Sequence, residues 1–261
     1  NHSKALLLDL RETRIRPGLD DKILLDWNAM MITALLKASQ ALSDERYKRY
    51  ALQSLNFLTK ALKVEGASLE LYHSYKDGVG KYTAFLDDYA LLIEALLEAY
   101  QCSQSQQYLQ LAERYTEYVN NHFLDQKDGL YFFTSAKQTD VLLHKKSIFD
   151  SATPSGNAVM LHNLQKLSFL LDNNSYHEQG LKMLAVLQKT LIKYPQSFGY
   201  WAAALFREVY PLKSIRIKAA DWSIYANPVL KNIFFDTFVY YEAQEASQKD
   251  SFLVCIDQQC H

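Results

Sequence analysis

Apolar residues recur at spacings of three and four along most of this chain, and short polar stretches break the pattern into units. From residue 89, Tyr89, Ile93, Leu96, Leu97 and Tyr100 mark one face of a helix. A polar run at 101–107 interrupts it. Tyr108, Leu111, Ala112, Tyr115 and Val119 then resume the period, which predicts a second helix packed back on the first. Next comes Asp128-Gly129-Leu130-Tyr131-Phe132-Phe133, a turn expected to enter a short aromatic strand. A comparable connection at 69–75 precedes Lys76-Asp77-Gly78.

The same unit occurs three times. Asp26-Trp27-Asn28-Ala29-Met30 leads into Ala34-Leu35-Leu36-Lys37-Ala38 and then Tyr47. Asp87-Asp88-Tyr89-Ala90-Leu91 leads into Ala95-Leu96-Leu97-Glu98-Ala99 and Tyr108. Ser155-Gly156-Asn157-Ala158-Val159 leads into Asn163-Leu164-Gln165-Lys166-Leu167 and Tyr176. Residue 28 maps to 89 and then to 157, so the offsets are 61 and 68, and the trio Tyr47, Tyr108 and Tyr176 keeps them. Such a period signals a repeat architecture. The reading is an all-α fold of helical hairpins at about 26–64, 85–123 and 155–193, with short β connections. An irregular unit follows at 198–261, with helices expected at 198–210 and 227–243 and strands at 215–219 and 251–255. Units of this length suit a ring better than a solenoid, whose repeats run about 34 to 47 residues. Seven or eight helices are about two-thirds of the twelve in a closed ring of six hairpins, so the chain reads as one partial toroid domain. Such a piece exposes apolar hairpin faces, which are expected to meet the rest of a longer parent chain or a second copy.

Composition narrows the function classes. With 28 basic and 29 acidic residues mixed along 261, and no basic block, no nucleic-acid partner is expected. No apolar run approaches the roughly 20 residues that cross a bilayer, so no membrane role is expected. Three cysteines, Cys102, Cys255 and Cys260, are too few for a secreted disulfide framework, and a reducing, cytoplasmic setting is the default. The opening Asn1-His2-Ser3-Lys4 resembles no signal peptide and reads as the start of a fragment or processed chain.

Four motifs carry a family resemblance. Arg16-Pro17-Gly18-Leu19-Asp20-Asp21-Lys22 with Asp26-Trp27-Asn28 resembles the "RPxLDDK…WNG" element of YyaL-like thioredoxin-domain-containing proteins, relatives of spermatogenesis-associated protein 20. Phe85-Leu86-Asp87-Asp88-Tyr89-Ala90 resembles that family's "FLEDYA", Asp150-Ser151-Ala152-Thr153-Pro154-Ser155-Gly156-Asn157 its "D-x-A-x-PSGN", and Cys255…Cys260 its terminal cysteine pair. Ala29 departs from the pattern by standing where the family has Gly. The resemblance implies an (α/α)6 toroid like that of N-acylglucosamine 2-epimerases and six-hairpin glycosidases. It also implies a thioredoxin-like domain ahead of it in the parent; this chain has no Cys-x-x-Cys.

Candidate chemistry divides along the repeat. Asp26, Asp87 and Ser155 share one repeat position ahead of an apolar helix, and all are N-cap types, so they are read as caps. Asp88 sits where the other units have Trp27 and Gly156, so capping does not require it. It is either a favourable first-turn charge or an acid–base group at the mouth of the ring. Asp21 is the other carboxylate candidate, opposite Asp88 or tied with Asp20 to Arg14, Arg16 or Lys22. His73 is the proton-transfer candidate that the epimerase-like fold suggests, or a structural histidine. Trp27, Asn28, Tyr89, Asp20, Ser155 and Asn157 complete a candidate sugar-binding set of one ring face and several hydrogen-bonding groups. The Pro154-Ser155-Gly156 turn offers backbone N–H groups to an anion or a sugar oxygen, or simply caps a helix. Cys255, Cys260 and His261 read first as free thiols with a neighbouring histidine, then as a disulfide, and least as a metal site. No cofactor is expected. The functional expectation is a sugar-binding or carbohydrate-active module, possible ligands being a sugar or glycan; the alternative is a non-catalytic scaffold for a protein partner of the thioredoxin-like domain.

Overall fold

A computed structural model describes residues 2–210, 212–231, 237–256 and 259–260. Three antiparallel hairpins form its body: α2 (Leu25–Leu42) with α3 (Glu45–Ala61), α4 (Leu86–Ser103) with α5 (Gln106–His122), and α6 (Gly156–Leu171) with α7 (Asn174–Lys193). These bounds fall within a few residues of the expected ones. The first helix of each pair packs on its counterpart in the next, α2 on α4 and α4 on α6, and α8 (Gly199–Val209) continues the row after α6. Helices α4 and α6 are buried nearly all round, from Leu86 to Cys102 and from Gly156 to Leu167, as befits an inner layer between neighbours. Helices α3, α5 and α7 bury one stripe each, such as Tyr108, Leu109, Ala112, Tyr115 and Val119 on α5, and face outward with the other.

The repeat offsets reappear at the hairpin turns. Each inner helix ends on a left-handed residue, Ser43, Gln104 and Asp172 with φ of 53°, 56° and 51°. These positions lie 61 and 68 apart. The next residue, Asp44, Ser105 or Asn173, caps the outer helix, Asp44 accepting from Arg46 N and Asn173 from Ser175 N. Two residues per turn hold each pair antiparallel.

Short β structure links the first two hairpins. β1 (Ile23–Leu24) pairs with β2 (Tyr72–Lys76), which returns through Asp77-Gly78, both at positive φ, to β3 (Val79–Thr83). The expected aromatic strand after Asp128-Gly129 is instead a single bridge, Tyr131 with Leu124. Helix α1 (His2–Glu12) buries no residue, and Leu6, Leu7 and Leu10 on it are exposed.

The C-terminal unit corrects two expectations. A helix over 227–243 is not formed. Helix α9 (Ser223–Leu230) carries Pro228, and β5 (Thr237–Ala243) is a strand with Phe238 and Val239 buried, the β-branched and aromatic content of its Thr-Phe-Val-Tyr-Tyr run winning over helix periodicity. β4 (Lys213–Ala219) lies parallel to β5 and antiparallel to β6 (Ser251–Ile256), with β7 (Gln259–Cys260) beyond, so a four-stranded mixed sheet accompanies the three-stranded β1–β2–β3 sheet in a mainly helical fold. Nine α-helices lie among the described residues, against the seven or eight expected. The β5 edge is covered by α4: the Gln101 and Gln104 side-chain carbonyls accept from Val239 N and Tyr241 N at 3.1 Å. Cys255 is disulfide-bonded, which corrects the free-thiol reading for it, and it faces Cys260 across the β6–β7 register. His261 lies outside the described residues. No described helix is long and apolar enough to cross a membrane.

Candidate functional site

The N-termini of α2, α4 and α6 lie side by side, so three positive helix ends face one region. Acids gather there for that reason. Asp87 and Asp88 occupy the second and third positions of α4, whose N-cap is Phe85, and Asp26 is the second residue of α2, whose N-cap is Leu24. Neither Asp26 nor Asp87 caps its own helix, contrary to the expectation. Only Ser155 does so, its Oγ accepting from Ala158 N at 3.3 Å. The three share a sequence register, but α6 starts one residue after its repeat position and α2 and α4 start one residue before it.

The α4 pair instead serves all three helices. Asp88 Oδ2 accepts from Phe85 N at 2.8 Å, closing the first turn of α4, and Asp88 Oδ1 accepts from Asp26 N of α2 at 3.1 Å. Asp87 Oδ1 accepts from Gly156 N of α6 at 3.0 Å. Capping therefore does require Asp88. A Cβ on Gly156 would stand 2.2 Å from that Asp87 oxygen and 3.2 Å from Asp87 Cα, which explains a glycine here without any need for positive φ.

His73, on β2, completes the cluster. Its Nδ1 lies 3.0 and 2.9 Å from the two Asp88 oxygens. Asp88 is 1% exposed. The Asp88 hydrogen bond raises the His73 pKa, against partial burial. Burial pushes the Asp88 carboxyl up, opposed by His73 and by the Phe85 N–H. Asp87 is pushed up to about 6, first by burial and then by the charge of Asp88, with the Gly156 N–H opposing. A carboxyl raised to about 6, next to the Asp88 carboxylate that holds His73, can give and take protons near physiological pH. Asp26, His73 and Asp88 also bring one ligand atom each within 4.8 Å, enough to offer a cation three ligands. Asp88 would have to surrender backbone N–H donors to become one of them.

The other candidates are placed as follows. Trp27, in the first turn of α2, is 62% exposed beside the cluster. Asn28 returns its Nδ2 to Leu24 O at 2.7 Å. Asp21 is exposed and ion-paired with Lys76, which lowers its pKa, so Lys76 rather than Asp88 is its partner. Asp20 pairs with Lys22 at 3.4 Å, as the structural reading had it, while Arg16 pairs with Glu12. Tyr89 is wholly buried, its hydroxyl donating to Leu69 O at 3.2 Å and accepting from Leu71 N at 3.1 Å. Asn157 is wholly buried too, accepting from Tyr131 N at 2.7 Å and donating to Tyr131 O and Ser147 O, both at 2.9 Å. Both side chains brace the protein's own backbone. The 150–157 turn likewise uses its N–H groups internally, Ser155 N on Asp150 Oδ1 at 3.0 Å and Gly156 N on Asp87, so no anion cradle is open there.

Comparison with known proteins places this geometry. The row of hairpins overlays the inactive variant of an α-1,6-mannanase from Salegentibacter, in complex with α-1,6-mannotetrose, with a TM-score of 0.52, 14% identity, 70% of this chain and 52% of that one. It overlays the cellobiose 2-epimerase of Bacillus thermoamylovorans with a TM-score of 0.53, 14% identity, 66% of this chain and 45% of that one. The fold is of the six-hairpin glycosidase-like α/α-toroid kind, with two small β-sheets added. In sequence the chain is similar to human spermatogenesis-associated protein 20, 27% identical over 225 residues. That match takes in 83% of this chain and 29% of the relative, so the chain spans less than a third of its length. No family model matches.

Proposed function

We propose that this chain carries the acid–base centre of a sugar-processing toroid, at the N-terminal ends of α2, α4 and α6. The observation that carries the reading is Asp87, a carboxyl raised to about 6 at the head of an inner helix, next to the Asp88–His73 pair. Asp87 protonates a departing or ring oxygen, or removes a proton, at near-neutral pH. Asp88 fixes His73 through Nδ1, which leaves Nε2 as the ring nitrogen available to a substrate. Trp27 offers an exposed ring on which a sugar C–H face can stack. Two further points support the reading. The toroid neighbours act on sugars by their names, and the mannanase variant is described as inactive with two consecutive aspartates replaced. This chain has its own consecutive pair at Asp87-Asp88.

A second reading, a scaffold without chemistry, draws on Asp88 alone, whose oxygens are engaged by two backbone N–H groups and by His73. One experiment separates the two. The full-length protein is assayed for hydrolysis of manno-oligosaccharides and for epimerisation of mannose and cellobiose, then compared with Asp87→Asn. Turnover that falls at least a hundredfold in a variant that remains folded supports the acid–base centre. Absence of turnover on every sugar, or turnover unchanged by the substitution, moves the assignment to the scaffold.

A further inference from the structure

A second polar constellation lies at the opposite ends of the same helices. A cavity of about 300 Å³ opens between the C-terminal halves of α2, α4 and α6 and the α9 and β5 elements, its polar lining including Lys37, Glu98, Gln101, Lys166, Arg207 and Lys231 beside apolar Leu97, Leu230 and Phe238. Along α4, Gln101 lies 13 residues beyond Asp88, about 20 Å at 1.5 Å per residue. The cavity is therefore separate from the acid cluster.

Lys166 is its centre. The residue is 8% exposed, lines the cavity, and makes no hydrogen bond with any described residue. Its carboxylate partner, Glu94 Oε1, is 4.0 Å away, and that oxygen already accepts the Tyr200 hydroxyl at 2.6 Å. Burial pushes the Lys166 pKa down, while Glu94 and Glu98 hold it up. A buried ammonium with no hydrogen-bond acceptor among the described residues, and its nearest carboxylate 4.0 Å away, is suited to an anion placed against it.

Arg207, on α8, is aimed by a histidine of fixed tautomer. His162 Nε2 stands 2.7 Å from Tyr200 O, a carbonyl, and must carry the proton, so Nδ1 is left to accept from Arg207 Nη1 at 2.7 Å. Burial, and then the guanidinium itself, pushes the His162 pKa down to about 3, so the ring stays neutral. Among the described lining residues Lys37, Lys166 and Lys231 stand with one carboxylate, Glu98, whose Oε1 accepts from Gln40 Nε2 at 3.3 Å, and Glu94 is the other acid near Lys166. The cavity is at the small end of the range for small-molecule sites.

We propose that this cavity binds the oxyanion group of a small molecule, a carboxylate or a phosphate, with Lys166 as its buried counter-charge and Lys37 at the rim. The inference stands independently of the acid–base reading, since no residue is shared. The test is calorimetric titration of the full-length protein at pH 7 with inorganic phosphate, a hexose 6-phosphate, glucuronate and, as the neutral control, glucose. At least one anion binds, and Lys166→Met weakens it at least tenfold while glucose gives no signal. Binding of the phosphates alone identifies a phosphate site, and binding of glucuronate alone a carboxylate site. Lys166→Met removes a charge from a buried position and keeps the volume, so it is expected to fold. Lys37→Glu, at an exposed position, is the second arm and also weakens binding at least tenfold. The proposal is overturned by no anion binding, or by unchanged affinity in either variant.

Discussion

Replacing Asp87 by Asn should make the protein more stable, and by an amount that depends on pH. Folding raises the Asp87 carboxyl from 3.8 to about 6, so between these values the folded state holds more protons than the unfolded state. Stability contributed at this position is greatest below the unfolded value and falls as pH rises through the folded one. The difference of about 2.2 units, at about 1.4 kcal/mol per unit, makes the ionised group cost about 3 kcal/mol above pH 7. At pH 5 the same relation leaves about half of that. Asn keeps a carbonyl to accept from Gly156 N and carries no charge. Asp87→Asn is therefore expected to gain about 3 kcal/mol at pH 7.5 and about 1.5 kcal/mol at pH 5. For a chain of this size the larger gain corresponds to a melting temperature raised by roughly 6 to 12 °C. Urea denaturation at the two pH values measures it, with the slope unchanged so that the midpoint reports stability. A variant less stable than the parent at pH 7.5, or a gain independent of pH, would refute the reasoning. Combined with lost turnover, the gain would show a carboxylate kept for chemistry at the expense of the fold.

Other substitutions probe the same cluster. Asp88→Ala strands the N–H groups of Phe85 and Asp26 and the His73 ring, and should cost about 3 to 5 kcal/mol in a denaturant titration, against well under 1 for an exposed acid. Gly156→Ala forces a methyl onto Asp87 Oδ1 and towards its backbone; a loss of about 1 to 3 kcal/mol is expected, and a neutral result would mean the α4–α6 approach is looser than described. His73 has a raised pKa, so its stabilising contribution is present below its unfolded value near 6.5 and fades as pH rises through the folded one. The stability difference between the parent and His73→Gln should accordingly be larger at pH 6 than at pH 9, and an equal difference at both would contradict the His73–Asp88 ion pair.

The hairpins were legible because their signal is local. Tyr108, Leu111, Ala112 and Val119 repeat at helical spacing within a single helix, and the 61- and 68-residue offsets recur at Ser43, Gln104 and Asp172 in the turns themselves. The C-terminal unit was less so, since Val239 is buried in the small C-terminal core and Phe238 packs on Phe169 of α6, a context that periodicity over 227–243 does not contain. Asp88 and His73 stood out as chemistry-bearing residues, and they are in contact. The role of Asp87 was hidden because its partner, Gly156, lies 69 residues away on another helix. Tyr89 and Asn157 illustrate the opposite error: polar groups next to a helix start look like ligand contacts until the backbone atoms that occupy them are known. The Lys166 cavity left only polar interruptions in apolar helices, at Glu94, His162 and Lys166, with nothing to say that they converge.

The central claim is that a sugar is handled at the heads of α2, α4 and α6. Its most direct test is a thermal-shift titration of the full-length protein with manno-oligosaccharides, mannose and cellobiose, repeated in Trp27→Ala and His73→Gln. A ligand at about a hundred times its dissociation constant adds about 2.7 kcal/mol to the folded state, which a melting curve resolves. The account expects a raised melting temperature with at least one sugar and its loss in both variants. No shift with any sugar, or a shift that survives both substitutions, would contradict it.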